Sequence, residues 1–297
     1  MASTLAFTYD DLAAREQLLN ILTNLDPKNT QLVSGLGTEK INAINPSWLV
    51  KTLGAVKTNA YIEGSDSSYQ NLTDPTRIFN YTQVAREAFQ VSDTERAINT
   101  AAYNDRFVQE GQDALAELKN DMEFALMRGS LACGTGTAAR RLRGIKNSLS
   151  LVSSMSGTSL SETILNNYFQ LIWDNTGKQI DAVYGDMYIK RKISGFTAGA
   201  TKNVETTDRR LVNAVDVYQA DAASNVRLFA HRYVTVSGDT NHDIVGLVED
   251  LFKVGYLRMP YQEDRPKTGD ASKAEWITEF TLVNKHYNAG FLAQRML

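Results

Sequence analysis

The chain has 297 residues, 43% of them hydrophobic and 22% charged, and 31 Lys and Arg against 34 Asp and Glu leave a net charge of −3. That apolar content supplies a sizeable core and excludes wholesale disorder, while near-neutral charge argues against a nucleic-acid binder driven by basic excess. The single cysteine, Cys133, excludes an internal disulfide and a cysteine-based metal cluster, and is expected to be a small buried thiol.

In chain order, Thr8 or Asp10 can cap a first helix carrying Leu12, Leu19 and Leu22 at helical spacing, and Asp26-Pro27 stops it. No basic and apolar signal precedes it. Residues 28–40 read as an extended strap. A short amphipathic helix and a strap own no core, so their apolar face is expected against the rest of the chain or a neighbouring subunit. Ile41 to Val50 and Arg77 to Ser92 are rich in β-branched and aromatic residues and read as two strands, the long arms of a hairpin. The acidic, turn-forming stretch from Tyr61 to Pro75 is its tip. An isolated hairpin is marginal in water, so a stable one is expected to be covered from outside.

Ser92-Asp93-Thr94-Glu95 is a capping box. Phe107, Gly111, Leu115, Leu118, Met122 and Leu126 then mark a helix from Tyr103 to Arg128, about seven turns and roughly 40 Å long, ended by Gly129. A Ser- and Gly-rich region from Leu131 to Thr158 follows. The next helix has Ser159 and Glu162 as its capping box, Leu160, Ile164, Tyr168 and Leu171 as its stripe, and Gly177 as its end. A strand at Gln179–Tyr184, a basic helix at Asp186–Phe196 and strands at Val212–Tyr218, Val226–Val236 and Ile244–Val248 indicate a mixed domain. A polar linker, Glu263 to Asp270, precedes a last strand from Trp276 to Val283 in which Trp276, Thr278, Phe280 and Leu282 face one way.

Motifs for chemistry are sparse. Gly134-Thr135-Gly136-Thr137-Ala138-Ala139 fits a loose dinucleotide-binding pattern, but such glycines must sit between a strand and a helix N-terminus, and these follow a long helix. An acid-free stretch between Phe124 and Ser161 carries Arg128, Arg140, Arg141, Arg143 and Lys146, read as a solvated linker and a donor of inter-subunit salt bridges. His231, His242 and His286 are scattered, with no zinc-type spacing. No serine-hydrolase elbow or Walker loop occurs. Two Asn-x-Thr sequons, at Asn71 and Asn80, are discounted without a secretory signal. No catalytic, cofactor or metal site is expected, and the chain is not read as an enzyme.

Several stretches, in order, resemble one family. Leu25-Asp26-Pro27, Trp48 with Thr52-Leu53, and Asn59-Ala60 with Glu63-Gly64 carry the first part of the likeness. Asn80-Tyr81-Thr82-Gln83, Val91-Ser92 and Glu117-Leu118-Lys119-Asn120-Asp121-Met122-Glu123 carry the middle. Arg209-Arg210 with Asp216-Val217-Tyr218, and Lys267-Thr268-Gly269-Asp270-Ala271, complete it. The chain resembles the major capsid proteins of tailed bacteriophages with the Hong Kong 97-like fold, and among them the SU-ten-type family.

The resemblance implies an α+β fold divided into an N-terminal arm (1–40), an extended β-hairpin loop (41–92) and a peripheral domain with a spine helix (93–142). An axial domain (143–271) and a C-terminal strand returning to the peripheral domain (272–297) complete it. It implies self-assembly through hexameric and pentameric capsomers into an icosahedral head, built in the host cytoplasm, with double-stranded DNA held non-specifically on the inner face. Implied partners are a portal protein, a separate scaffolding protein and a decoration protein, and no membrane. Trp48, Leu53, Glu63, Asp66, Tyr69 and Asp74 of the hairpin, with Arg140, Arg141 and Arg143, are the implied inter-subunit contacts. Some relatives carry a long cleaved N-terminal segment, whereas about 40 residues precede the hairpin here; Lys51 and Lys57 lie in the hairpin, but no partner for a Lys–Asn cross-link can be assigned. The alternatives are an encapsulin-like nanocompartment shell and a nucleotide-binding enzyme using Gly134–Ala139.

Overall fold

The longest apolar strand, Ala271–Asn284, is covered on both faces and organises everything around it. The structure is a computed structural model that describes residues 30–66, 69, 73–98, 105–196, 217–218, 225–235 and 241–296. The helix read at Thr8–Pro27 and most of the strand read at Val212–Tyr218 lie outside these residues.

The described residues open with α1 (Gln31–Gly35), β1 (Gly37–Lys40), β2 (Ser47–Val50), β3 (Thr76–Phe79) and β4 (Gln83–Ser92). It continues through α2 (Asp93–Ala97), α3 (Arg106–Arg128), α4 (Ile145–Ser148), β5 (Leu151–Ser154) and α5 (Glu162–Thr176). Then come β6 (Ala182–Gly185), α6 (Met187–Ser194), β7 (Val217–Tyr218), β8 (Val226–Ala230) and β9 (His242–Leu247). The C-terminal part is β10 (Phe252–Arg265), β11 (Ala271–Asn284) and β12 (Gly290–Met296).

These strands form a four-stranded sheet, β1-β10-β11-β4, a six-stranded sheet, β5-β12-β9-β6-β8-β7, and the separate hairpin β2-β3. Helix α3 lies on β4 and β11 of the first sheet; α5 and α6 pack on the second. Buried residues of α3 and both sheets, among them Leu118 and Met122, Phe280, and Val245 with Phe291, make one continuous core.

Helix α3 follows its pattern. Asp105 caps it by accepting from the Phe107 N–H, Gly129 ends it, and Gly111, Leu118, Met122 and Leu126 are buried. At 23 residues it is about 34 Å long. The Trp276 indole donates to the Gly111 carbonyl at 2.8 Å, so the glycine leaves room for β11 as well as for Phe89. Half of the Ser92 box forms: the Ser92 hydroxyl accepts from the Glu95 N–H, while the Glu95 carboxylate pairs with Arg106.

Six readings need correction. Residues 28–40 are not wholly extended, because α1 interrupts them; its N-terminal N–H groups are capped by Glu123 of α3, a tertiary partner. Gln83–Ser92 is not the return arm of the hairpin but the edge of the four-stranded sheet, paired with β11, and the hairpin pairing shrinks to Ser47–Val50 against Thr76–Phe79. Helix α5 is capped by Ser161 rather than Ser159. Its buried face is Leu165, Phe169 and Ile172, one residue on from the stripe read, and Leu171 is exposed.

Glu263 to Asp270 is no linker: Glu263 to Arg265 continue β10, whose distal half has an exposed edge that tolerates charge, and only 266–270 turn. Nor is the C-terminus one returning strand. β11 belongs to the four-stranded sheet, while β12 crosses to the six-stranded sheet between β5 and β9. There Gly246 and Gly290 let the strands approach, since a Cβ at Gly246 would lie 2.2 Å from the Phe291 ring.

Candidate assembly surface

The segment that projects from the core is the β2–β3 hairpin. Beyond its four paired positions, the described residues of the loop from Lys51 to Pro75 carry no regular structure except one turn. In that turn the Ser65 N–H donates to the Ile62 carbonyl at 3.1 Å, with Gly64 at φ +80°, the left-handed position that a type II turn requires. Leu53 (85% exposed), Ile62 (84%) and Tyr69 (96%) stand in solvent, as do Leu49 and Val56. Covering each such side chain is worth about 1.5–3 kcal/mol, and a run of them on one projecting segment marks an interaction surface.

The root of the hairpin is as firmly held as its tip is bare. The Asn80 side-chain amide donates to the carbonyls of Leu282 (2.8 Å) and Arg143 (3.1 Å), and its oxygen accepts from the N–H groups of Arg143 (2.7 Å) and Tyr81 (2.9 Å). The hydroxyl of Thr82 donates to buried Glu279 at 2.7 Å, and that of Thr281 to the Tyr81 carbonyl at 2.8 Å. Glu279 also receives Arg140 at 2.9 Å and Arg258 at 3.2 Å. Fully used buried amides and charge-assisted bonds fix a segment's direction, so the hairpin is a lever on a rigid base.

The start of the described chain is clasped in a similar way. Glu123, completely buried on α3, accepts from the Leu32 N–H (2.6 Å) and His231 Nε2 (2.9 Å) with one oxygen, and from the Val33 N–H (2.8 Å) with the other. His231 Nδ1 accepts from the Tyr233 N–H, which leaves the proton on Nε2 to face the carboxylate. Gln31 adds a bond to the Ala230 carbonyl. The strap thereby joins α3 to the end of β8.

The residues read as inter-subunit contacts divide. Leu53, Glu63, Asp66, Tyr69 and Asp74 lie on the exposed loop, Trp48 is half-buried at its root, and Arg141 is exposed. Arg140 departs from the reading of a free donor: it is committed within the chain to Glu279, as Lys146 is to Asp243 and the Val234 carbonyl. Cys133 is exposed rather than buried. It lies beside the Tyr81 phenol, whose pKa is held above its ordinary value of 10.0 first by a hydrogen bond with that thiol.

The Gly134–Ala139 loop is a closed turn. The Thr135 N–H bonds the Ala138 carbonyl, the Ala138 N–H bonds the Thr135 hydroxyl, and Ala132 bridges Arg141 across its base. A Cβ at Gly134 would lie 2.3 Å from the Arg140 side chain, so packing accounts for this glycine, and the loop does not open a phosphate-facing helix. Among the described residues no group of His, Cys, Asp and Glu is arranged to hold a metal, and no helix is long and apolar enough to cross a membrane.

The family model of the SU10 major capsid protein matches residues 2–294. The chain belongs to that family. A curated major capsid protein of Escherichia phage Phieco32 is 29% identical over 127 residues, 42% of this chain and 36% of the relative, so the match spans little more than a third of that protein. Among solved structures, the capsid of Myoviridae phage XM1 superposes with a TM-score of 0.63 at 11% identity, covering 99% of this chain and 100% of the other. The SrpI encapsulin of Synechococcus elongatus PCC 7942 does so with a TM-score of 0.61 at 10% identity, covering 98% and 95%. Such identities speak to fold alone, and the fold is Hong Kong 97-like, an α+β capsid fold. The chain is a major capsid protein, a component of the virion shell.

Two residues that organise this capsid protein were read only as parts of family-like stretches, and their structural roles escaped the sequence reading. Glu123 left a trace, a lone carboxylate between Met122 and the buried run Ala125-Leu126-Met127 on the core side of α3. For Asn80 the local pattern held no sign of that role, because all its long-range partners are backbone groups brought near only by the fold.

Proposed function

We propose that this capsid protein assembles with its own copies into a closed icosahedral head around double-stranded DNA, and that it does so as a structural, non-catalytic subunit. The observation that carries the reading is the projecting hairpin, anchored at Asn80 and Thr82 while no described residue of its own chain covers its apolar loop. In this reading the hairpin is the extended loop laid over a neighbour. The four-stranded sheet with α3 is the peripheral domain, and the six-stranded sheet with α5 and α6 is the axial domain around the five- and six-fold axes. Family membership favours a phage head over a cargo-enclosing nanocompartment of the same fold. A portal protein, a separate scaffolding protein and a decoration protein are the proposed accessory partners. The net charge of −3 suits a wall that leaves most DNA charge to small cations.

Each loop contact can be weak, since every subunit makes many and the shell is held multivalently. Deleting Glu63 to Pro75 is expected to leave the far-ultraviolet circular dichroism of the subunit unchanged while closed shells disappear from negative-stain micrographs. Unaltered particles from the deletion variant would overturn the role given to the hairpin.

A further inference from the structure

Beneath the hairpin root lies a cavity of about 360 Å³, lined by Trp48, Ile78, Arg143, Leu149, Leu282 and Tyr287 among others. Most polar groups around it are spent: the Asn80 amide as described, Asn147 on the Gly129 carbonyl, Asn284 on Ser148. Two side chains differ. The Trp48 indole N–H is shut off from solvent with no acceptor among the described residues. The Arg143 guanidinium makes no ion pair with any described residue, although the Arg143 backbone is held on both sides by Asn80. No described residue lining the cavity is a carboxylate. A donor left unmatched inside a protein costs about 1–3 kcal/mol, and a cation beside it makes an anionic occupant the favoured remedy.

The capsid protein carries a matching group. The turn at Ile62–Ser65 holds Glu63 and the apolar Ile62 in solvent, and the Glu63 carboxylate has no partner among the described residues. Glu63 lies thirteen positions beyond Val50, the last paired position of β2, which spans up to ~43 Å when extended. We propose that the Ile62–Ser65 turn of a second copy seats in this cavity. Glu63 is received by the Arg143 guanidinium and, after a small displacement of the half-buried Trp48 ring, by its indole N–H; Ile62 packs on Ile78, Leu149 and Leu282. The inference rests on the proposed assembly through the hairpin and names its seat.

A charge swap tests it. Glu63→Arg and Arg143→Glu are each expected to lower the yield of closed shells at least about tenfold, because like charges meet at every copy of the contact. The double variant is expected to recover most of that yield. Unchanged circular dichroism and thermal midpoint of the subunits exclude misfolding. Single variants that assemble like wild type, or a double variant no better than either single, overturn the seat while leaving the capsid function intact.

Should the wild-type chain form no shells, that failure falls on the proposed function, and a fluorescent peptide of residues 58–68 then decides. Saturable binding to the wild-type subunit, weakened about tenfold by Arg143→Glu, supports the seat. No binding, or binding indifferent to that substitution, overturns it.

Discussion

Replacing Glu123 by alanine should cost this capsid protein about 3–5 kcal/mol of stability, the range for removing one member of a buried ionic or hydrogen-bonded pair. The estimate follows from three donors that lose their acceptor together: the N–H groups of Leu32 and Val33 and Nε2 of His231, at 2.6, 2.8 and 2.9 Å. Orphaned singly in the interior, each would cost about 1–3 kcal/mol. Relaxation of α1, which can swing its N-terminus toward water, should return part of the sum. Thermal unfolding of the isolated subunit should therefore shift downward by on the order of 10 °C. Amide exchange should show lost protection over residues 31–36 before any change in β11. Glu123→Gln should fall between, since it retains one acceptor oxygen but presents an N–H₂ group to donors. A Glu123→Ala variant within about 0.5 kcal/mol of wild type, with residues 31–36 as protected as before, would refute the claim that this carboxylate holds the strap.

Two further perturbations probe the sheets. Glu87 on β4 has its pKa raised above the ordinary 4.5 by burial first, then by repulsion from Glu117 and Asp121. Its ionised form is thus penalised in the fold; the penalty is complete above the raised value and vanishes below the ordinary one. Glu87→Gln should raise the thermal midpoint at pH 7 and lose that advantage as the pH falls below about 4.5, and a gain independent of pH would sink the argument. Gly246→Ala places a methyl 2.2 Å from the fully buried Phe291 ring, which is itself stacked on Tyr168 at 4.6 Å and has nowhere to move. Urea titration should show a loss of about 1–3 kcal/mol; a neutral result would mean that β9 and β12 can part more readily than their packing implies.

Periodicity and capping made α3, α2, α6 and the core strands legible, because those signals are local: a helix repeats every 3.6 residues and ends where a cap or a glycine stands. The same logic failed wherever a distant group supplied the missing partner. Thr30 makes no side-chain cap for α1, so nothing local announces a helix that Glu123 caps from α3. The polar end of β10 resembles a linker because half of that strand pairs on one edge only. Arg140 and Arg143 sit three residues apart in one acid-free stretch and look alike in the sequence. The fold gives Arg140 a buried carboxylate on β11 and leaves the guanidinium of Arg143 without one among the described residues.

By itself the sequence determined that this chain is a mixed fold around one long helix, with a hairpin whose loop has no core to bury it and no recognisable catalytic motif. Only the tertiary structure decided which described charges are paired inside the chain and which are not, that Gln83–Ser92 is sheet rather than arm, and that the hairpin is anchored at Asn80. The division has one cause. Propensity and periodicity are properties of adjacent residues, whereas a hydrogen bond or an ion pair is made between groups that in this protein stand up to about two hundred positions apart, as Asn80 and Leu282 do, and adjacency in sequence carries no record of it.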